Sequence, residues 1–235
     1  MVITIDGPVA SGKSTMARLL AQHLGYYYIN SGLLFRAMAY ICAQYGSDKN
    51  VGSKSIGTEP IGTEIFCTEE ELVALIKSHS IVYTFDQQAH IFVDGVDVTP
   101  QLKSAAIDRA ASLISTYSGI RDIVLSMQRE IAEDHNVVVE GRDAGTVVFP
   151  DADMSFFLTA PLAVRADRWR MNQVAKGVSF TSDQAQAAVL ERDERDSSRS
   201  CAPLRIPEGA VTVDTGMRSV EDVLTELVAL SGSKD

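Results

Sequence analysis

The chain has 235 residues, 46% of them hydrophobic, enough for one domain with a large core that needs no disulfide or metal staples. Its formal net charge of −10 excludes a general nucleic-acid surface, which requires a broad basic face, but not a site for one mononucleotide. Cys42, Cys67 and Cys201 lack metal-ligand or redox spacing and fit a reducing compartment.

Val2-Ile3-Thr4-Ile5 reads as a short β-branched strand. Gly7-Pro8-Val9-Ala10-Ser11-Gly12-Lys13-Ser14-Thr15 comes next and fits G-x-x-x-x-G-K-S, the phosphate-binding loop. Apolar residues at Met16, Leu19, Leu20 and Leu24 then predict a helix over 14–24. Strand, glycines, Lys-Ser and helix in this order let successive N–H groups and the positive helix end face a polyphosphate. The loop implies a nucleoside triphosphate, with Lys13 reaching its β- and γ-phosphates and Ser14 as a Mg²⁺ ligand.

A second strand is predicted at 26–29 and a helix over 33–44. The Gly/Ser/Lys-rich stretch 46–62 reads as a mobile loop. Thr68-Glu69-Glu70-Glu71 is a capping box for a helix ending near Lys77. Alternation over 81–85 and 90–93, with turns at 86–89 and at Asp94-Gly95, predicts a small antiparallel sheet in an inserted lobe. Apolar runs at 136–140, 154–158 and 211–214 read as further strands of a parallel sheet, the first buried on both faces. Residues 161–199 form two helical stretches joined at 176–180, the second opened by a capping box at Thr181-Ser182-Asp183-Gln184. The closing helix is amphipathic over about 219–230. Alternating strands and helices make the fold class α/β, a parallel sheet flanked by helices. One domain is expected over 1–235, with core segments 1–30, 126–160 and 200–235, an inserted lobe over 31–125 with its sheet near 81–98, and a lid over 161–199.

Three further segments carry chemistry. Ser31 and Arg36 lie after the second strand, at the edge where a parallel sheet opens its ligand crevice. Glu140-Gly141-Arg142-Asp143 ends the central apolar strand, where two acids and a base between glycines suit a ligand site. Arg192, Asp196 and Arg199 stand at i, i+4 and i+7, on one helical face. Fourteen of the twenty-one basic residues are arginine, whose fork grips phosphate oxygens. Arg165, Arg168, Arg170, Arg192, Arg195 and Arg199 crowd 161–199 beside five carboxylates, and in a phosphate-holding protein an arginine lid is the preferred reading over a solvated face.

These residues resemble bacterial cytidylate kinases. The resemblance rests on Ile5-Asp6-Gly7-Pro8 with its loop, Asn30-Ser31-Gly32 with Arg36, Glu140-Gly141-Arg142-Asp143 through Asp151-Ala152, and Arg192-Asp193 through Ala202-Pro203-Leu204. It runs from residue 2 to about 230 and weakens between 46 and 80. It implies a single phosphate-loop kinase domain with a nucleoside-monophosphate-kinase core, a monophosphate-binding lobe with a small sheet, a mobile lid, and ATP-dependent phosphorylation of CMP and dCMP. By position it implies CMP contacts at Ser31, Arg36, Ser112, Arg121, Arg142, Asp143, Arg192, Asp196 and Arg199. Asn30 stands where the family often has aspartate, and Leu102-Lys103-Ser104 where it usually has Ile-Arg-Thr.

The chemistry implied is direct in-line transfer, in which positioning and charge neutralisation suffice and no nucleophilic side chain is needed. Lys13, Arg168 and Arg142 are the expected catalytic cations, with Mg²⁺ and ATP as the donor pair. Arg165, three residues before Arg168, could substitute for it. A kinase with another acceptor, such as UMP, is the alternative; a guanine-nucleotide switch would need an N-K-x-D segment, and Asp48-Lys49-Asn50 does not supply one. No apolar run reaches the ~18 residues of a membrane span, and the chain opens on its first strand without room for a signal peptide. A cytoplasmic monomer acting on small nucleotides, with neither nucleic-acid polymer nor membrane as partner, is expected.

Overall fold

The computed structural model describes residues 1–45 and 68–232, so Cys67 and the predicted loop over 46–62 lie outside the described residues. Two compact units are present, Met1–Asn30 with Gln128–Asp235, and Ser31–Met127.

In the larger unit β1 (Val2–Asp6) is the central strand of a five-stranded sheet. Around it lie β2 (Tyr27–Asn30), β6 (Val137–Glu140), β7 (Met154–Thr159) and β8 (Val211–Asp214). Their order is β2-β6-β1-β7-β8 and every pairing is parallel. All four residues of β6 are buried, as its uninterrupted Val-Val-Val run demands of a strand covered on both faces. Parallel neighbours require crossovers, and helices supply them. α1 (Lys13–Leu24) turns its Met16, Ala17, Leu20 and Ala21 inward and stops at Gly25, whose φ of 68° closes the helix. α6 (Leu162–Val174) and α7 (Ser182–Ser198) form a hairpin, α7 opening on the predicted Thr181/Gln184 capping box. α8 (Val220–Ser231) ends the fold, capped by Ser219.

The smaller unit contains α2 (Ser31–Tyr45), α3 (Glu69–Lys77), α4 (Ala105–Ile114) and the first part of α5 (Ser118–Asp134). α3 has the capping box predicted at Thr68 and Glu71. The small sheet is β3 (Ile81–Phe85), β4 (Ala89–Val93) and β5 (Val96–Asp97), antiparallel throughout. Asp94 and Gly95 both adopt positive φ, 49° and 81°, as a tight hairpin between right-twisted strands requires. Two helices, α4 and α5, have no counterpart among the sequence predictions. Ser104 caps α4 by accepting from the Ile107 N–H, a weak signal without the acidic or amide partner of a capping box.

Candidate active site

Five strand ends converge on the carboxyl edge of the parallel sheet, where such folds hold their ligands. The Gly7–Gly12 segment leaves β1 there. Gly7 has a φ of 146°, and a Cβ on it would stand 2.0 Å from the Leu158 carbonyl oxygen, so no side chain fits. Gly12, φ 91°, ends the turn and leads into α1. Lys13 is 4% exposed, and its ammonium donates to the Pro8 carbonyl at 2.5 Å and to Ser11 Oγ at 3.3 Å. Burial, reinforced by the nearby Arg142, pushes its pKa well below the ordinary value against the pull of Glu140, Asp6 and Asp196. An anion in the loop would reverse that balance. Ser14 Oγ donates to Glu140 Oε1 at 2.8 Å, and the Tyr28 hydroxyl reaches the same oxygen at 3.5 Å. Asn30 Nδ2 donates to Tyr28 Oη at 3.0 Å, so Asn30 orients the tyrosine beside Glu140.

The turn after β6 is built against the end of β1. Asp6 is fully buried, and its carboxylate accepts from the Ala144 N–H at 2.9 Å and the Gly145 N–H at 2.7 Å. Burial raises its pKa to about 6, even against those two bonds. Gly145 is required by close approach, since a Cβ there would lie 2.7 Å from Thr4 Oγ1. The chain then makes one wide π-helical turn, Ala144–Val148, and Arg129 secures it by donating to the Val148 carbonyl at 3.0 Å. Asp143, 6% exposed, begins this turn.

Asp196, on α7, is 1% exposed and sits between guanidinium groups. Its Oδ2 accepts from Arg142 Nε at 2.8 Å, and its Oδ1 from Arg199. Burial pushes its pKa up, but Arg142, Arg199 and Arg192 outweigh burial and hold it below the usual carboxylate value. Arg142 shows the converse: burial works against its charge, and Asp196 wins and raises its pKa. The predicted single helical face is corrected in one respect. α7 stops at Ser198, and Arg199 has φ −54° and ψ 137°, so it reaches Asp196 from an extended residue just past the helix.

On the hairpin, Arg168 donates from Nη1 to Thr215 Oγ1 at 2.9 Å and from Nη2 to the Thr215 carbonyl at 2.7 Å. Thr215 Oγ1 in turn lies 2.9 Å from the Ser11 carbonyl, which it reaches as a donor. Arg165 does not stand beside Arg168 as a spare. It is 8% exposed, and it bonds Asp193 and the carbonyls of Val9 and Ala160.

In the smaller unit Ser31 begins α2, and Arg36 Nε pairs with Asp108 Oδ1 at 2.5 Å. Arg121, 7% exposed, donates to the Ser115 carbonyl at 3.0 Å and its guanidinium carbon is 5.5 Å from the centroid of the Phe35 ring. Ser112 is buried on α4, and its carbonyl accepts from Ser115 Oγ at 2.9 Å. Cys42 is a buried cysteine and Cys201 a half-buried one.

The sequence profile of cytidylate kinases matches residues 3–232. The chain belongs to the cytidylate kinase family. It is 38% identical over 228 residues to a cytidylate kinase of Thermotoga maritima, covering 97% of this chain and 95% of that one. It is 36% identical over 230 residues to a cytidylate kinase of Geobacter sulfurreducens, with 98% and 92% covered. A solved structure of an uncharacterized protein from Eubacterium ventriosum shares the fold, with a TM-score of 0.53 at 13% identity over 100% of this chain and 99% of that one.

For this family member, four residues of the site carry roles that sequence reasoning did not assign. Glu140 and Asp6 stand out in the sequence as motif members only. Their position as the last residues of two paired buried strands was the available signal, because a carboxylate there must find a partner. Thr215 gave no signal and Asp193 only its place in a motif, since each acts on backbone more than 180 residues away in the chain.

Proposed function

We propose that this protein transfers the γ-phosphoryl group of ATP to CMP and dCMP, giving CDP and dCDP. The observation that carries this reading is the buried Asp196 held ionised by arginines, in the same unit as the Lys13 loop. Each Asp196 oxygen keeps acceptor capacity beyond its arginine bond. With Asp143 it would accept from the cytosine N4 amino group, while Arg192 and Arg199 donate to N3 or O2. Uracil presents an acceptor in place of the N4 donor, and a site built for hydrogen bonds rejects that exchange strongly.

In this reading residues 7–15 cradle the triphosphate and Lys13 neutralises it. Ser31, Arg36, Ser112, Arg121 and Arg142 hold the monophosphate nucleotide and align its phosphate oxygen, which is anionic at neutral pH and needs no strong general base. Arg36 would exchange Asp108 for phosphate when acceptor arrives. Ser14 and Glu140, whose hard side-chain oxygens lie 2.8 Å apart, would hold a divalent cation such as Mg²⁺. Bound there, the cation would neutralise charge on the β- and γ-phosphates. Arg168 would meet the charge that spreads as the phosphoryl group moves, and closure of 161–199 as a lid would exclude water. Residues 31–125 would serve as the monophosphate lobe. No helix among the described residues is long and apolar enough to cross a membrane. A cytoplasmic monomer is the proposed state.

Acceptor profiling tests the reading. With ATP as donor, kcat/KM is expected to be highest for CMP and dCMP and far lower for UMP and AMP; equal or better use of UMP would transfer the reading to another monophosphate kinase. Replacement of ATP by GTP is expected to lower turnover.

A further inference from the structure

The phosphate loop is held from outside as well as by its own glycines. Val9 is 7% exposed, and one ion pair from the α6–α7 hairpin takes both of its backbone polar groups. Asp193 of α7 accepts from the Val9 N–H through Oδ1 at 3.1 Å and from Arg165 Nη1 through Oδ2 at 2.5 Å. That same Nη1 lies 3.2 Å from the Val9 carbonyl and donates to it, while Arg165 Nε is anchored on the Ala160 carbonyl at 3.0 Å. Amide, carboxylate, guanidinium and carbonyl thus close a ring around a single residue. The Val9 side chain is enclosed as well, packed with Ala166 of α6 and with Ala185 and Val189 of α7, and flanked by Leu162 and Trp169.

The next residue in the chain gives this ring a task. Ala10 has a φ of 58°, the left-handed region that glycine tolerates and a residue with a Cβ resists. Released, Ala10 would relax to negative φ, and the peptide planes leading to Gly12 and Lys13 would rotate with it. Conformations of this kind persist only where their surroundings over-determine them. Neither Arg165 nor Asp193 needs to touch a phosphate to matter.

We propose that Arg165 and Asp193 are positioning residues for the phosphate loop, clasping Val9 so that Ala10 stays left-handed and the amides after it stay set for ATP. The inference rests on the reading that residues 7–15 bind ATP. It adds that ATP affinity is linked to the seating of the hairpin base, and by reciprocity that bound ATP steadies that seating.

Calorimetric titration with ATP plus Mg²⁺, and separately with CMP, tests this. In Asp193→Ala the dissociation constant for ATP is expected to rise about tenfold, the loss of one charge-assisted bond, while that for CMP stays within about twofold. Adding Ala10→Gly to Asp193→Ala is expected to recover several-fold of the lost ATP affinity, because glycine adopts the left-handed conformation unaided. A merely structural role would lower the melting temperature without separating the two ligands and would not be rescued by glycine. If Asp193→Ala fails to fold, Asp193→Asn keeps the shape, removes the charge that holds Arg165, and is expected to show the same separation at about threefold. Unchanged ATP affinity in a folded variant, equal weakening of both ligands, or no recovery with glycine would each overturn the clasp. Absence of ATP binding by the unaltered chain would instead bring down the reading of the loop itself, and the clasp with it.

Discussion

The α6–α7 hairpin carries two sets of charges with the same chemistry and opposite fates. At its base the side chains of Arg165 and Asp193 are 10% and 18% exposed, Asp196 is 2% exposed, and each is fastened to another part of the fold. Elsewhere on the hairpin Arg170 pairs with Asp167 three residues away and Arg195 with Glu191 four residues away, with the acids 57% and 72% exposed. The first set gives up hydration and must be fully partnered; the second keeps its water and gains little from pairing. Arginine content alone therefore overstates the lid. Of the predicted lid arginines, Arg165 grips the glycine loop, Arg168 grips Thr215, and Arg170 and Arg195 make local surface pairs.

That contrast between buried and solvated charge is tested most severely at Lys13. Lys13→Ala is expected to leave the fold intact and to reduce kcat by about 10²–10³, the usual loss for one electrostatic donor at a transition state. Steady-state kinetics on a variant with unchanged circular dichroism decides it, and near-normal turnover would break the comparison at its strongest point.

Asp196→Ala should be the costliest change on the hairpin. It leaves Arg142 and Arg199 without their carboxylate, a loss of about 3–5 kcal/mol for a broken buried pair. CMP use is expected to fall far more than ATP binding. A collapse of ATP affinity with the KM for CMP unchanged would assign these residues to the donor side instead.

Asp6 sharpens the comparison through pH. Its folded pKa, about 6, lies above the unfolded 3.8, so its contribution to stability is fully present below pH 4 and is lost as pH rises through 6. A rise of that size corresponds to about 3 kcal/mol. Urea unfolding of the unaltered chain and of Asp6→Asn between pH 4 and 7.5 is expected to show a stability difference that changes across this window in favour of the asparagine variant at the higher pH. Parallel curves would show that the buried carboxylate does not titrate there.

The smallest effects are expected at the anchored Arg168 and, below it, at the hairpin's solvated charges. Arg168→Ala is expected to lower kcat about tenfold with both KM values nearly unchanged, the size of one charge-assisted bond of ~1.5 kcal/mol. Arg170→Ala and Arg195→Ala should alter stability by no more than ~0.5 kcal/mol and leave single-turnover transfer from ATP to CMP unaltered. Equal effects at Arg168 and Arg170 would erase the distinction between anchored and solvated arginines.

The Gly7–Thr15 loop, the Val-Val-Val run of β6, both capping boxes and the Asp94-Gly95 hairpin were legible in the sequence because each is a local rule. They depend on glycine conformation, on burial of an apolar run, or on a side chain bonding its own backbone three residues on. The family was legible for a related reason, since its motifs are short and contiguous. The helix α4 was not, because its single serine cap carries little signal and its burial depends on what packs over it. Nor were the partners of the charged residues. Asp193 to Val9 spans 184 residues, Thr215 to Ser11 spans 204, and Asp6 to Gly145 spans 139. A carboxylate's chemistry is written in its residue type, but its partner is chosen by which strand ends the parallel sheet brings together and by how much water is left there. Those are properties of the packed chain, and only the tertiary structure decides them.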